Sequence, residues 1–137
     1  MGNRLIILVI VALLFLPSWV LALDSLYPAK IEKVIDGDTI MADLSLGLGV
    51  ILDDQYIRLY GINAWEIKGK ERERGVLAKE YLERKLQKGE VEIEIKPGWG
   101  RNGRGKYGRW LGRVYVNGKD INAELIEKDH AREYEEN

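Results

Sequence analysis

Three patterns predict a mainly β fold with helices (α+β): a five-stranded Greek-key barrel of the OB type, with one helix after the third strand and another at the C-terminus. Short β-branched and aromatic runs, separated by turn residues, recur over residues 30–62 and 90–116. A strongly amphipathic stretch, 70–88, falls between those two groups. A second helical stretch closes the chain, with no internal repeat and no long linker.

The elements follow in order. Ile31 to Ile40 reads as a strand interrupted by the turn Asp36-Gly37-Asp38. Thr39 to Leu46 alternates loosely as a second strand, and Gly47-Leu48-Gly49 turns it. Val50 to Ile62 contains Tyr56-Ile57-Arg58-Leu59-Tyr60, a typical strand run. Asn63 to Gly69 reads as a loop. Over Lys70 to Lys88, Val76, Leu77, Tyr81, Leu82 and Leu86 recur at helical spacing, with Lys and Glu on the other face, and Gly89 stops the helix. Val91, Ile93 and Ile95 alternate with Glu90, Glu92 and Glu94, the mark of a half-buried strand. Pro97 to Gly105 is a glycine-rich loop. Trp110 to Val116 is a strand, and Asn117-Gly118 is a hairpin turn. Asp120 to about Tyr134 is expected to be helical, with Glu133 to Asn137 frayed.

Composition narrows the chemistry. The chain has 137 residues, enough for one domain, and no cysteine, which excludes disulfides, thiol nucleophiles and zinc–thiolate sites. The single histidine, His130, reads as a solvated residue and not as a base. A metal would therefore be held by oxygen, which points to a hard ion such as calcium or magnesium. The net charge is only −1, but it is unevenly spread. Residues 96–119 hold Lys96, Arg101, Arg104, Lys106, Arg109, Arg113 and Lys119 and no acid, whereas 23–67 hold eight acids to three cations and 120–137 seven acids to two cations. Such a distribution suits a metal-assisted phosphate site, and equally an ordinary solvated surface.

The first residues differ from the rest. A short cationic start at Arg4 precedes an almost wholly apolar run, Leu5 to Leu23, broken at Pro17-Ser18. This reads as a secretory signal peptide over 1–22, cut after Val20-Leu21-Ala22. The alternative is an uncleaved anchor, because a run of that length can span a bilayer. Either way residues 23–137 form the expected domain, secreted or otherwise extracytoplasmic, or tethered to the membrane by residues 5–23.

Four motifs carry candidate chemistry. Asp36-Gly37-Asp38-Thr39 places two carboxylates at a strand junction, where they form either a plain Asp-Gly turn or ligands for a hard cation. Arg58, within an apolar strand, either faces solvent or pairs with an anion such as phosphate. Glu66 is either a solvated loop acid or a group that positions or deprotonates water. Gly105-Lys106-Tyr107-Gly108-Arg109, preceded by the glycine-, arginine- and tryptophan-containing stretch 98–104, suits phosphate and single-stranded nucleic acid. The same stretch would also serve as a soluble hairpin loop.

Taken together and in order, Asp-Gly-Asp-Thr, Arg58-Leu-Tyr-Gly-Ile, Glu66, the helix, Lys106-Tyr-Gly-Arg109 and Asp120-Ile-Asn122-Ala-Glu-Leu-Ile make the chain resemble the staphylococcal nuclease (thermonuclease-like) family from about Ala29 to Ala131. The resemblance implies the barrel fold and calcium-dependent cleavage of DNA and RNA. It implies that Asp38 is the principal metal ligand, with Asn63 at a second ligand position. Glu66 would orient or activate the attacking water. Arg58 and Arg109 would clamp the phosphate and stabilise the developing charge. Lys106 and Tyr107 would contact substrate phosphate.

The chain departs from the family in three places. Asn63 replaces a metal-binding aspartate, so the site carries one less negative charge and weaker calcium binding is expected. Trp65 replaces a proline that would stiffen the loop, and is expected to pack on the barrel or stack on a base. Asp129 replaces a helix-ending glycine. The expected function is an exported calcium-dependent nuclease with little sequence specificity. The alternative is a catalytically weak or inactive nucleic-acid-binding module on the same fold. Nothing in the sequence implies a protein partner, and a monomer is expected.

Overall fold

The structure, a computed structural model, describes residues 26–135. The expected signal peptide or anchor over 1–22, with its boundary to the domain, lies outside the described residues. In chain order the elements are β1 (Leu26–Asp36), β2 (Thr39–Gly47), β3 (Val50–Leu59), β4 (Ile62–Ala64), α1 (Arg72–Leu86), β5 (Val91–Glu94), β6 (Trp110–Val116), β7 (Lys119–Asp120), α2 (Ile121–Glu127) and β8 (Ala131–Glu133).

Five of the strands close into a barrel. Neighbours run β3-β2-β1-β5-β6, antiparallel at each step, and β6 returns to β3 in parallel register, with Ile57 opposite Trp110 and Leu59 opposite Gly112. Closure removes the free edges that an open sheet would expose. Register shifts in β1 between Ile31 and Lys33, and between Val34 and Asp36, bend the strand as closure requires. Alternation does the rest: Val91 and Ile93 point inward while Glu92 and Glu94 lie toward the surface. Ile40, Leu44, Ile57, Leu59, Leu82, Ile93, Val114 and Leu125 are fully buried, each stabilising the fold by roughly 2 kcal/mol. This is the five-stranded barrel of OB type, with a helix after strand 3 and a C-terminal helix.

The structure corrects several local expectations. The third strand ends at Leu59, not Ile62; Tyr60-Gly61 turn the chain, and Asn63 belongs to β4 rather than to a loop. β4 pairs with β8, which lies inside the stretch expected to be helical or frayed. The C-terminal helix therefore covers only Ile121–Glu127. It stops because Asp129 adopts φ 59°, the conformation a glycine would supply, and the His130 N–H donates back to the Leu125 carbonyl at 2.8 Å. Helix α1 is shorter than 70–88 and is preceded by a 3-10 turn at Gly69–Glu71. Its buried face is Gly75, Ala78, Leu82 and Leu86, while Leu77 faces solvent. His130 is half-buried against the Tyr81 ring at 4.4 Å, not freely solvated.

Two buried polar groups tie α2 down. The Asn122 side chain accepts from the Val114 N–H and donates to the carbonyls of Tyr60 and Gly112, spending its amide where β3 meets β6. Glu124, 2% exposed, pairs with Lys85 of α1 and Lys119 of β7 and accepts from the Tyr81 hydroxyl. Burial alone would raise its carboxyl, but hydrogen bonds from Lys85, Tyr81 and Lys119 outweigh it and hold the pKa at about 2. A depressed carboxylate contributes stability above its ordinary value of 4.5 and loses it as pH falls toward 2. With Lys119 largely exposed and screened, that contribution is about 2 kcal/mol. Urea melts across the acid range should show this loss, and Glu124→Gln should flatten that part of the profile.

Candidate active site

The polar residues singled out in the sequence converge on one cleft of about 340 Å³ at the end of the barrel where β1 passes into β2. Asp38, Arg58, Asn63, Glu66, Lys106, Tyr107 and Arg109 all line it, with Asp36, Trp65 and Tyr134 beside them. The acidic N-terminal half and the basic 96–119 segment thus face each other across the cleft.

The Asp36-Gly37-Asp38 turn builds the acidic wall. Asp36 Oδ1 accepts from the Asp38 N–H at 3.0 Å, closing the turn. Gly37 is needed there for proximity: a Cβ would meet the Cβ atoms of Ala64 and Ala78 at 2.8 Å each. Asp38 is buried. Its Oδ2 accepts from the Ala64 N–H at 2.7 Å and lies 3.0 Å from Arg58 NH1, while its Oδ1 accepts from the Thr39 hydroxyl at 3.2 Å. Burial pushes its carboxyl up to about 6; Arg58 and the Ala64 N–H oppose the rise, and Asp36 adds to it. The fold therefore holds Asp38 short of compensating positive charge.

Arg58 is the hub of the cleft. Its place opposite Thr39 in the β2–β3 register turns it toward Asp38 rather than toward solvent. Besides Asp38 it donates to the Leu59 carbonyl and to Asn63 Oδ1, each at 3.3 Å, and it faces the Tyr134 ring at 5.9 Å. Arg109, just before β6, is held more loosely, donating through Nε to the Lys106 carbonyl at 3.3 Å. Lys106 and Tyr107 project from a short 3-10 turn in which Tyr107 takes φ 63° and stands almost fully exposed. The loop beneath them is ordered by its own hydrogen bonds: Arg101 N to Arg104 O, Gly105 N to Arg109 O and Leu111 N to Gly103 O, all 2.8 Å.

Glu66 stands exposed at the mouth, and among the described residues its carboxylate has no hydrogen-bond or ion-pair partner. Its backbone, by contrast, is clamped. Gly75 of α1 abuts it so closely that a Cβ would lie 2.2 Å from the Glu66 carbonyl oxygen. Gly75→Ala gains helix propensity but must push the Glu66 loop outward, so a net destabilisation of about 1–2 kcal/mol is expected. A displacement of about 1 Å in a reacting group can cost on the order of 10²-fold in rate, so cleavage should fall far more than a thermal melt would suggest. The sequence analysis missed this contact, which a glycine inside the predicted helix could have signalled. Trp65 packs, as one of the two readings expected: Arg74 lies over its ring at 3.4 Å, Arg132 approaches at 4.6 Å, and its Nε1–H donates to the Asp129 carbonyl at 2.9 Å. Tyr134 had no sequence signal, because only the β4–β8 pairing carries it to the cleft.

The donor set fits a hard cation. Asp36, Asp38 and the Asn63 amide offer oxygen only, and Asp38 carries charge that burial leaves under-compensated. Among the described residues no three acid or histidine side chains gather into a metal-binding group by themselves. The one histidine is committed to Tyr81, so nitrogen-preferring metals lack donors here.

Residues 56–137, more than half of the chain, match the family described as staphylococcal nuclease homologue. The matched stretch includes Arg58, Asn63, Glu66, Lys106, Tyr107 and Arg109; Asp38 lies upstream of it and reaches them through the β1–β2 turn. No curated relative matches the chain. A closed five-stranded barrel carrying that match from β3 to its C-terminus makes the chain a member of the staphylococcal nuclease homologue family, and so of a nuclease and nucleic-acid-binding group.

Proposed function

We propose that this domain is an extracytoplasmic, calcium-dependent nuclease that hydrolyses phosphodiester bonds of DNA and RNA with little sequence specificity. The observation that carries the reading is one cleft in which the exposed Glu66 carboxylate, without a partner among the described residues, shares the lining with two arginines and a buried aspartate. Asp38 and Asn63 would hold the calcium ion, which supplies positive charge beside the scissile phosphate. Arg58 and Arg109 donate to the phosphate oxygens, where negative charge grows in the transition state. Glu66 takes a proton from the attacking water, the new P–O bond forms and the bond to the 5′-oxygen breaks. Lys106 and Tyr107 hold neighbouring phosphates, contacts that position without reading bases. Broad specificity follows from such a backbone-directed set.

Cleavage of single- and double-stranded DNA and of RNA in calcium, in magnesium and in a chelator tests the reading. Cutting that needs calcium supports it; no cutting of any substrate in millimolar calcium by a folded protein sinks it. Asn63 and the commitment of Asp38 to Arg58 favour one second reading, a module that binds nucleic acid without cleaving it. Asn63→Asp discriminates. Restoring a charge at this ligand position should tighten calcium binding at least about tenfold, an ordinary effect of ligand charge count. Calorimetry with calcium alone measures it, and an unchanged affinity would remove Asn63 from the ligand set.

A further inference from the structure

The end of the barrel opposite the cleft carries a feature that the nuclease reading leaves unused. The β2–β3 hairpin ends in Leu46-Gly47-Leu48-Gly49-Val50-Ile51, and all four of its large apolar side chains are exposed, Leu48 fully. From Leu44 to Leu52 the only polar side chain is Ser45. The Asn117-Gly118 turn of the same chain shows the usual alternative, a polar crest. Leu48 also takes φ 52°, a left-handed conformation in which asparagine or glycine would be cheaper. A leucine placed there at a conformational cost, and pointed into solvent, calls for an apolar partner.

The chain itself indicates which partner. β1 enters the structure at this same end: its last pair with β2 is Ala29 with Leu44, and Leu26 lies three residues further toward the crest. Upstream of Leu26, the sequence holds the apolar run Leu5 to Leu23. Kept as an anchor rather than cut, that run would bring a bilayer within a few residues of the hairpin crest. The crest is a narrow point of four side chains, far short of the roughly 800 Å² per partner that a stable protein interface needs, but suited to shallow insertion among lipid headgroups. Asp43, Asp53 and Asp54 stand just behind it, with the Asp54 N–H donating to Asp43. At about 3.3 Å per residue they limit insertion to roughly 15 Å at most and make the contact apolar rather than electrostatic.

We infer that the Leu46–Ile51 crest is a membrane-contact site that seats in the interface of a lipid bilayer beside residues 5–23. The cleft sits at the other end of β1, roughly 30 Å away, and so faces outward from the membrane. A tethered barrel in this orientation keeps its substrate cleft clear of the lipid surface.

The chain has no cysteine, so one introduced thiol is a unique label site. The test uses the full-length chain carrying Leu48→Cys labelled with an environment-sensitive nitrobenzoxadiazole dye, mixed with neutral phosphatidylcholine vesicles. Leu77→Cys, exposed on α1 beside the Gly37 end of the barrel, is the control. A blue shift at position 48, quenched by lipids bearing a shallow nitroxide and insensitive to salt, with none at 77, is expected. Leu46→Glu with Val50→Glu in the labelled chain should abolish the shift while leaving the thermal melt unchanged, since both side chains are exposed. Water-like emission at 48 in the presence of vesicles would overturn the proposal. So would a blue shift already present without lipid, which would mean that residues 5–23 or a second copy cover the crest.

Discussion

Glu66→Gln is expected to lower the rate of phosphodiester cleavage by about 10²–10⁴-fold, the range ordinarily lost with a general base. Glutamine keeps the size and hydrogen-bonding reach of the side chain but cannot accept a proton from water at neutral pH. The structure makes this a clean substitution. The Glu66 carboxylate is exposed and has no partner among the described residues, so nothing in the fold depends on its charge. What holds Glu66 in place is backbone, through Gly75, and the substitution leaves that contact intact. Single-turnover cleavage should therefore collapse while the thermal melt and the affinity for an uncleaved single-stranded oligonucleotide stay within error. A loss below about threefold would show that water is activated without Glu66, and the assigned chemistry would have to be abandoned.

The second large effect separates the two arginines. Arg58→Ala and Arg109→Ala should each slow cleavage by about 10²–10³-fold, the usual loss for one donor to a developing oxyanion. Their stability effects should differ sharply. Arg58 is buried, lies 3.0 Å from buried Asp38, and also binds Asn63 and the Leu59 carbonyl. Its removal leaves Asp38 buried and unpaired, a loss of about 3 kcal/mol. Arg109 gives up a bond to the Lys106 carbonyl and an approach to the exposed Tyr107 ring at 5.7 Å, so its alanine variant should melt within about 0.5 kcal/mol of the parent. Arg58→Lys should retain part of the stability but little of the rate, because an ammonium cannot present the guanidinium fork. Equal melts for the two alanine variants would mean that the Asp38–Arg58 pair contributes nothing to the fold. Calcium should narrow the gap, since a cation beside Asp38 supplies the charge that Arg58 would have given.

The cleft shows how far local pattern reaches. Asp38 and Arg58 stand out in the sequence as charged residues in a tight turn and an apolar strand, whereas Glu66 and Arg109 stand out only through the loop and the glycine-rich motif that hold them. Each one taken singly leaves a bland reading open. The β2–β3 register, which sets Thr39 against Arg58, and the β4–β8 pairing, which draws Tyr134 and Asn63 together, bring them into one cleft. The C-terminal stretch fails for the converse reason. Residues 120–134 contain good helix formers throughout, and what ends the helix at Glu127 is the left-handed Asp129 together with an empty edge on β4 waiting for β8. Similarly, Leu77 fits the helical spacing but loses the buried face to Gly75 and Ala78, because close approach of α1 to the Gly37 turn and to the Glu66 loop admits only small side chains.

The sequence by itself determined the class of fold and the order of the barrel strands along the chain, and its lack of cysteine excluded thiolate ligands. All of these rest on periodicity, turn chemistry and composition, which act over a few residues. Tertiary structure alone decided that Asp38 is buried against Arg58, that Glu66 is left unpaired on a clamped backbone, that Trp65 is held between two arginines, and that an apolar hairpin crest stands at the far end from the cleft. These are consequences of strand register and barrel closure. Several arise from contacts far apart in sequence, Asp38 with Arg58 and Ala64 and Trp65 with Asp129 and Arg132, and the nearer approach of Gly75 to Glu66 depends on how α1 packs against the barrel.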